Sequence, residues 1–147
     1  MRIRPLAEIA VRELRPLLDE ETAYWGRELL WDYADVALAV ASGLERGSLR
    51  GRVIMDERRP LAYCYYLHES GRAIVGSLFA TTAARGRGVE ERLLDGVLAD
   101  AQALPDNDRI ECQTLFSTAP GADARFASAG FLGRTRHYLV RQLDLPA

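Results

Sequence analysis

Hydrophobic and polar residues alternate in two neighbouring stretches of the chain, Arg50 to Met55 and Leu61 to Leu67. Alternation with a period of two predicts strands, and the polar turn Asp56 to Pro60 between them predicts an antiparallel hairpin. A third strand, Ala73 to Ala80, follows a second turn, His68 to Arg72, which contains a glycine. Two hairpins in succession predict a three-stranded antiparallel meander.

A helical period marks other parts of the chain. Gly88 to Leu104 carries a single apolar stripe at helical spacing. The stripe consists of Val89, Leu93, Leu94, Val97, Leu98 and Ala101. Near the N-terminus, a short strand over Arg2 to Leu6 precedes two helical pieces, Ala7 to Arg15 and Pro16 to Leu44. We predict the break at Pro16 because proline disrupts a helix interior but suits a first turn.

The last third of the chain continues with a strand, a short helix and a strand: Arg109 to Phe116, Gly121 to Ala129 and Phe131 to Leu143. The strand–loop–helix–strand unit from Ala73 to Phe116 predicts the one parallel pair of the sheet. No repeat, low-complexity tract or linker divides the 147 residues. We therefore predict a single α+β domain over residues 1–147, with a mixed, mostly antiparallel twisted sheet flanked by helices.

Composition and charge argue against several classes of function. All 19 basic residues are arginine, and with 21 acidic residues the net charge is −2. This balance argues against nucleic-acid binding and against electrostatic attraction to membranes. Cys64 and Cys112 show no metal-ligand spacing, so we expect buried free thiols and no bound metal. Because the chain has neither a long apolar run nor a signal-peptide pattern at Met1, we expect a cytoplasmic protein.

The stretch from Ile74 to Leu94 holds the main candidate for ligand binding. An apolar strand leads into a short Thr/Ala-rich connection, and Arg85-Gly-Arg-Gly88 then opens an amphipathic helix. Unpaired backbone N–H groups and the helix dipole favour anions at such a helix start, so the pattern indicates a phosphate-bearing ligand. A Walker loop is excluded because the chain has no lysine, and the dinucleotide fingerprint is excluded because Glu91 replaces its third glycine.

The residues Arg85-x-x-Gly88-x-Glu90, directly after a strand, resemble the R/Q-x-x-G-x-G/A acyl-CoA pyrophosphate loop of the GNAT N-acetyltransferases. Later, Phe126-Ala-Ser-Ala-Gly-Phe131 is similar to the family's Y-x-x-x-G-F segment. The order of strands and helices matches too, so the resemblance covers nearly the whole chain. It implies acyl transfer to an amine, with acetyl-CoA as co-substrate. We expect direct attack in a ternary complex, because no nucleophile of the sequence stands in a recognisable setting for covalent catalysis.

The resemblance also implies the layout of the site. The sheet would have a V-shaped split between the fourth and fifth strands, where backbone groups of Leu78, Phe79 and Ala80 bind the pantetheine arm and polarise the thioester. The pyrophosphate would be surrounded by Arg85, Gly86, Arg87, Gly88, Val89 and Glu90. The two guanidinium groups would add charge-assisted bonds to phosphate oxygens.

Three departures from the family pattern leave a second interpretation open. Glu90 replaces the small residue that ends the loop, and Phe126 replaces the tyrosine that often protonates the departing thiolate. The segment Ser117 to Ala122 lacks the family's asparagine. A carboxylate at position 90 would repel a pyrophosphate, so we expect the Glu90 side chain to swing outward. The alternative is a catalytically degenerate GNAT-fold protein that acts as an acyl-CoA-binding sensor or interaction module.

Candidates for proton transfer come from the strands. Glu111 and Gln113 share one face of a strand, where polar side chains are costly to bury unless they are bonded. Glu111 is the first candidate for the base or for binding the acceptor amine, and the alternative is a structural ion pair with an arginine. Further candidates are Tyr63 and Tyr65 on one face of their strand, Tyr66 on the other, and His68, His137 and Tyr138.

The sequence does not determine the acceptor amine or the oligomeric state. Four aromatic residues are dense in the second helical piece, where they either pack in the core or line an acceptor pocket: Tyr24, Trp25, Trp31 and Tyr33. The acceptor is a small amine, an amino acid or antibiotic, or a protein N-terminus or lysine. An edge strand at the C-terminal end leaves a homodimer open.

Overall fold

The computed structural model describes residues 1–113, 122–134 and 136–143. In chain order, its strands and helices are β1 (Arg2–Pro5), α1 (Val11–Leu29), α2 (Ala34–Glu45), β2 (Arg50–Asp56), β3 (Arg59–Glu69), β4 (Arg72–Ala80), α3 (Val89–Gln102), β5 (Arg109–Cys112) and α4 (Ala122–Ser128). A short 3-10 turn, Leu6–Glu8, leads from β1 towards α1. Within this part of the chain, no helix combines the length and the apolar character needed to cross a membrane.

The five strands form one sheet in the order β1-β2-β3-β4-β5. The first three pairs are antiparallel and β4 pairs with β5 in parallel, which confirms the predicted meander and the mixed sheet. β5 pairs only with Arg72 to Val75 of β4. From Gly76 to Ala80, no strand of the described residues pairs with β4 on that side. The described pairing of β4 with β5 therefore ends at Val75 and Cys112, the region in which the split is expected.

A bulge in β4 changes which way its side chains face. Cys64 of β3 lies opposite Leu78 of β4. Two residues later in β3, Tyr66 lies opposite Val75, which is three residues earlier in β4. This extra residue turns Ser77 towards α1, although Val75 packs on the α3 side. In a regular strand the two side chains would share a face. The bulge thus brings a hydroxyl group to the α1 side of β4, two residues past its last described pair with β5.

The side chain of Tyr65 covers the glycine of the bulge. The ring of Tyr65 covers Gly76 so closely that a Cβ there would lie 2.1 Å from Cε2 of the ring. Tyr65 also stacks on Tyr63, with ring centroids 6.2 Å apart. A side chain at position 76 would therefore displace the Tyr65 ring from this position.

Helices cover both faces of the sheet. α1 and α2 pack on one face, where Val53 and Tyr63 are fully buried. α3 packs on the other face against Ile54, Cys64 and Tyr66. Tyr63 and Tyr66 thus face opposite sides, as predicted. The predicted stripe of α3 is its buried side, which includes Val89, Leu93, Leu94, Val97, Leu98 and Ala101.

The first long helix runs through its proline. α1 continues unbroken from Val11 to Leu29, so the predicted boundary at Pro16 is wrong. Proline inside a helix costs about 3 kcal/mol. Burial of Leu14, Leu17 and Leu18 against the sheet stabilises the helix by about 5–9 kcal/mol, which outweighs that cost.

Two further boundaries differ from the sequence prediction. The helix expected to run to Leu44 is interrupted at Leu30, whose φ of 53° is left-handed, and α2 begins at Ala34. The strand expected over Phe131 to Leu143 is not present in the described residues of that range. A strand needs a neighbour to pair its backbone groups. Most apolar side chains of this segment are exposed instead.

Candidate functional site

The loop between β4 and α3 folds around a threonine and two glycines. The carbonyl group of Thr81 accepts hydrogen bonds from the N–H groups of Ala84 and Arg85, at 3.1 and 2.9 Å. Gly86 and Gly88 have left-handed φ angles of 76° and 80°, which residues with a side chain rarely adopt. A Cβ at either glycine would meet no described atom within 4 Å. The space in front of the loop is therefore open.

The start of α3 faces this open space. α3 begins directly after Gly88, and no side chain of the described residues caps it. Its first-turn N–H groups have no acceptor within the helix, and the helix dipole adds positive potential there. From the other side, Glu20 of α1 holds the loop, since its Oε1 accepts the Thr82 N–H at 2.9 Å. The loop has the geometry of an anion site.

The Glu90 side chain points into the loop, so the expectation that it swings outward is wrong. Its carboxyl group is buried, and Oε1 accepts the Gly86 N–H at 3.3 Å. Oε2 is buried without a hydrogen-bond partner among the described residues. The features that favour an anion here also attract a nearby carboxylate. Glu90 thus occupies part of the space in which a bound anion would lie.

The two arginines of the loop point in different directions. The Arg85 guanidinium lies 4.4 Å from the ring centroid of Tyr24 and 5.5 Å from that of Phe79. Its Nη2 donates to the carbonyl oxygen of Ala80 at 3.0 Å. Arg87 is exposed. One cation therefore fixes the end of β4 against α1, and the other remains accessible to a ligand.

Leu78, Phe79 and Ala80 form the part of β4 that leads into the loop. Their backbone pairs with β3 on one side. On the other side, no described strand pairs with these three residues. This stretch of β4 runs directly into the loop.

A buried carboxyl group lies beside this edge, on α1. Glu21 is 0% exposed. Tyr63 Oη donates to its Oε1, while Ser77 Oγ, at 2.6 Å, and Trp25 Nε1, at 3.3 Å, donate to its Oε2. None of the ion pairs in the described residues includes Glu21. Neutral donors alone therefore surround this carboxyl group.

Two more tyrosines complete the Glu21 cluster, which we define as Glu21, Tyr33, Tyr63, Tyr65 and Ser77. Tyr33 and Tyr63 are buried, whereas Tyr65 and Ser77 are half-buried. Burial raises the pKa of Glu21 above its ordinary value of 4.5, and hydrogen bonds from Ser77 and Tyr63 oppose the shift. Burial and the nearby Glu21 raise the pKa of Tyr65 to about 12. The tyrosine therefore stays protonated at neutral pH, and Glu21 is the carboxyl group that can exchange a proton.

The apolar stripe of α1 contains a sign of Glu21 that sequence reasoning missed. Leu14, Leu17, Leu18 and Trp25 are buried at helical spacing, and Glu21 belongs to the same stripe. A carboxyl group on an apolar face is costly unless donors meet it, so such a residue is a functional candidate. Three acidic residues in a row, however, also suggest an exposed helix face.

Known proteins match this chain in structure rather than in sequence. No family model and no curated protein matches the sequence. A possible acetyltransferase from Clostridium difficile 630 has a TM-score of 0.67 at 12% identity, over 97% of each chain. A GCN5-related N-acetyltransferase from Ralstonia eutropha JMP134 has a TM-score of 0.67 at 18% identity, over 95% of this chain and 97% of that chain. This chain has the GNAT fold.

A third protein that is similar in structure is named for its acceptor. A ribosomal-protein-alanine N-acetyltransferase from Brucella melitensis biovar Abortus 2308 has a TM-score of 0.60 at 14% identity, over 97% of this chain and 100% of that chain. Identities this low show the GNAT fold alone. The chemistry of this chain must therefore be argued from its own residues.

Glu111 lies on β5 of the GNAT fold, between two arginines. Its Oε1 is 2.7 Å from Arg109 Nη2 and 3.5 Å from Arg72 Nη1. The side chain is 30% exposed. Its backbone lies opposite Ile74, before the point where β4 and β5 part. The geometry supports the ion-pair alternative, and a role of Glu111 as base stays a prediction.

The structure places the remaining candidates in packing or exposed positions. Phe126 of α4 packs edge-on against Phe131, with ring centroids 5.2 Å apart. His137 and Tyr138 are exposed. Residues 114–121, which include most of the segment without the asparagine, lie outside the described residues. The proton donor to the leaving thiolate is therefore not assigned to any of these side chains.

The buried position of Glu21 predicts a pH dependence of stability. Because its pKa is higher in the folded chain than in the unfolded chain, protonation favours folding. This contribution is complete below pH 4.5 and is lost as the pH rises through the folded pKa. We expect the free energy of unfolding of Glu21→Gln to rise relative to the original chain as the pH increases from 4.5.

Urea unfolding of both chains, repeated at each pH, measures this difference. Glu28→Gln is the matched control, because Glu28 is exposed on the same helix and also loses one charge. A difference between Glu21→Gln and the original chain that stays constant with pH would contradict the raised pKa.

Proposed function

We propose that this chain is an acyl-CoA-dependent N-acyltransferase that transfers an acetyl group from acetyl-CoA to an amine. The observation that carries the proposal is the open space in front of the loop around Gly86 and Gly88, which directly continues the end of β4. We further propose that β4 has an open edge from Gly76 to Ala80, beyond its described pairing with β5. An open edge offers N–H and C=O groups to an amide-rich arm, and the loop offers N–H groups to a diphosphate. CoA carries both an amide-rich arm and a diphosphate.

The proposed roles follow the positions of the residues. The backbone of Leu78 to Ala80 binds the pantetheine arm. The N–H groups from Gly86 to Val89 bind the diphosphate, and Arg87 adds positive charge from the exposed side. Arg85 holds the end of β4 through the Ala80 carbonyl and reaches a phosphate only by leaving Tyr24.

The reaction is a direct attack while both substrates are bound. The amine nitrogen forms a bond with the thioester carbonyl carbon, the C–S bond breaks, and CoA leaves as a thiolate. Backbone N–H groups beside Leu78 stabilise the negative charge on the carbonyl oxygen. The cysteines do not favour a covalent intermediate, because burial raises the pKa of both thiols, that of Cys112 to about 11.

The acceptor is a small-molecule or peptide amine. Trp31 and Tyr24 are half-buried at the end of α1 and pack within an aromatic group that includes Trp25 and Tyr33. Their packing explains their density in the sequence, and a role in lining the acceptor site stays a prediction. The cytoplasmic location, the absence of nucleic-acid and membrane partners, and the homodimer also stay predictions.

A second candidate function is a non-catalytic acyl-CoA sensor. The specific observation in its favour is the Glu90 carboxylate, which already bonds to the Gly86 N–H. Phe126 adds to it because a phenyl ring cannot donate a proton. A chain that binds acetyl-CoA but releases no CoA with any amine would fit this candidate.

Thermal unfolding with acetyl-CoA tests the proposed ligand. At a hundredfold excess over the dissociation constant, binding stabilises the fold by about 2.7 kcal/mol. For a chain of this length, we expect the Tm to rise by about 5–10 °C. Free CoA should also raise it, whereas NAD should not. An equal rise with NAD, or no rise at millimolar acetyl-CoA, would contradict the proposal.

A pair of glycine variants assigns the binding to the loop. Gly88→Asp should abolish the Tm shift with acetyl-CoA, because a carboxylate would crowd and repel the diphosphate. Gly47→Asp is the matched control: Gly47 also has a left-handed φ, 68°, and a Cβ there also meets no described atom within 4 Å. Both variants have the same backbone strain, but Gly47 lies in the turn after α2. Equal shifts in the two variants would remove the loop assignment.

A further inference from the structure

Acyl transfer to an amine leaves one proton on the attacking nitrogen, and a group beside the β4 edge must remove it. Ser77 is placed for this contact. It lies at the bulge, directly before Leu78 and two residues past the last described pair of β4 and β5. It is half-buried, so part of the residue is accessible to a ligand at the proposed open edge.

The hydroxyl group of Ser77 is connected to a proton acceptor. Ser77 Oγ donates to Glu21 Oε2 at 2.6 Å, a distance typical of a hydrogen bond to a carboxylate. Glu21 is fully buried and does not reach the edge itself. Any proton that Glu21 exchanges with a ligand at the edge must therefore pass through a neighbouring hydroxyl group.

We infer that Ser77 and Glu21 form a proton relay, in which Ser77 touches the attacking amine and Glu21 positions Ser77 and holds the proton. The inference rests on the proposed function and assigns the acceptor side of that site. The amine therefore binds on the α1 side of the split, between the bulge and the aromatic residues of α1. Sequence reasoning had placed the base on β5 instead.

The proton and the electrons balance in this step. As the nitrogen bonds to the carbonyl carbon, its proton passes to Ser77 Oγ while the original hydroxyl proton passes to Glu21 Oε2. The electron pair of the N–H bond stays on nitrogen, and the pair of the C–S bond leaves with the thiolate. After product release, Glu21 returns its proton to solvent by the reverse path.

The surroundings of Glu21 suit this role. From β3 it faces Tyr63 and Tyr65, from β4 it faces Ser77, and from the segment before α2 it faces Tyr33. The tyrosines are neutral groups with high pKa values, and the Ser77 hydroxyl group carries no charge. None of the described ion pairs includes Glu21. A carboxyl group without a cationic partner keeps a raised pKa, so its carboxylate takes up a proton more readily than an exposed carboxylate does.

The kinetic test uses acetyl-CoA with propylamine as a probe acceptor and follows the release of the CoA thiol. Glu21→Gln should lower kcat by about a hundredfold while the KM for acetyl-CoA stays unchanged. The decline of the original chain's rate at low pH should be absent in this variant. Ser77→Ala should also lower kcat, although it leaves Tyr63 and Trp25 bonded to Glu21. Glu28→Gln, on the exposed side of α1, is the control.

These rates separate a relay from a structural role. If Glu21 only holds the bulge in place, Glu21→Gln changes the Tm but leaves kcat and its pH profile as they are, and the inference is overturned. Loss of kcat in Glu21→Gln with full activity in Ser77→Ala also overturns the proposed path.

A second measurement does not depend on the acceptor. Infrared spectra of the full chain with bound acetyl-CoA, minus those of Glu21→Gln, isolate the C=O stretch of protonated Glu21. We expect this band to disappear between pH 5 and pH 9, which leaves a carboxylate able to take a proton. A band that persists at pH 9 overturns the inference, because a permanently protonated acid cannot accept one.

Failure of the inference can be told from failure of the proposed function. If acetyl-CoA gives no Tm shift, the proposed function fails, and the relay fails with it. If acetyl-CoA shifts the Tm but the infrared band persists, the ligand assignment stands and only the relay is overturned.

Discussion

Glu90→Ala should bind acetyl-CoA about ten to a hundred times more tightly than the original chain. In the unliganded loop, Glu90 Oε1 accepts the Gly86 N–H that a diphosphate would use. The ligand must displace this carboxylate or bind beside it, and two anions in one site repel each other. A hydrogen bond to a charged group contributes about 1.5–3 kcal/mol, which corresponds to the expected change in affinity.

Titration calorimetry with acetyl-CoA measures the effect, and two further variants, Glu90→Gln and Glu91→Ala, serve as controls. Glu90→Gln keeps the shape of the side chain and a carbonyl acceptor for the Gly86 N–H but removes the charge. Its affinity for acetyl-CoA should therefore lie between those of the original chain and Glu90→Ala. Glu91→Ala removes a carboxylate from the same helical turn, and it tests whether charge alone explains the effect. Equal or weaker binding by Glu90→Ala would show that Glu90 does not compete with the ligand.

The same residue shows where sequence reasoning stops. The sequence predicts the anion site from local features, namely a strand, two glycines and a helix start. The direction of the Glu90 side chain depends on the three-dimensional arrangement of the Gly86 N–H, which no local pattern encodes. A family comparison gave the position its importance but not its conformation.

The fold was predictable from the sequence wherever the spacing of apolar residues indicates a strand or a helix. The alternation in β2 and β3 and the stripe of α3 gave these elements within a few residues, because each buries one face against a neighbour. The continuation of α1 through Pro16 was not predictable from propensity, since tertiary burial outweighs the local cost. The C-terminal strand failed for the converse reason: its pattern lacks a paired neighbour among the described residues.

The Glu21 cluster depends on both the helix α1 and the bulge in β4, and only the first can be recognised from a local sequence pattern. Glu21 can be found on the apolar stripe of α1, but alternation gives two answers for Ser77: counted from Phe79 it faces α1, and counted from Val75 it faces α3. The bulge between Val75 and Leu78 decides for the α1 side, where Ser77 bonds to Glu21. The register between two strands depends on how they pack, so a bulge of this kind cannot be predicted from the sequence of one strand alone.

Gly51→Ala should destabilise the fold by at least about 3 kcal/mol. Gly51 has a φ of 147°, and a Cβ there would lie 2.1 Å from the Cys64 carbonyl oxygen and 2.7 Å from Tyr65 Cα. These are backbone atoms of β3, which cannot rotate away as a side chain can. Relief of the clash requires β2 and β3 to move apart in the centre of the sheet. For this chain length, the Tm should fall by roughly 10 °C or more.

Gly47→Ala separates the clash from the strain of a left-handed residue. Gly47 has a left-handed φ as well, but its Cβ meets no described atom, so this variant should lose only about 1–2 kcal/mol. Urea unfolding followed by circular dichroism measures both. If the two variants are equally stable, β2 and β3 can separate at little cost, and the close approach is not a constraint.

The expected effect of Gly51→Ala reaches the site through β3. Tyr65 lies opposite Gly51, stacks on Tyr63 and covers Gly76 at the bulge. A shift of the β3 backbone at this point therefore moves the tyrosine that covers Gly76. Molecules of Gly51→Ala that remain folded should keep the loop and bind acetyl-CoA, since the loop bonds to Glu20 of α1 and to Leu61 at the far end of β3 from Tyr65. Their kcat with propylamine should fall, because Tyr65 covers the bulge that presents Ser77.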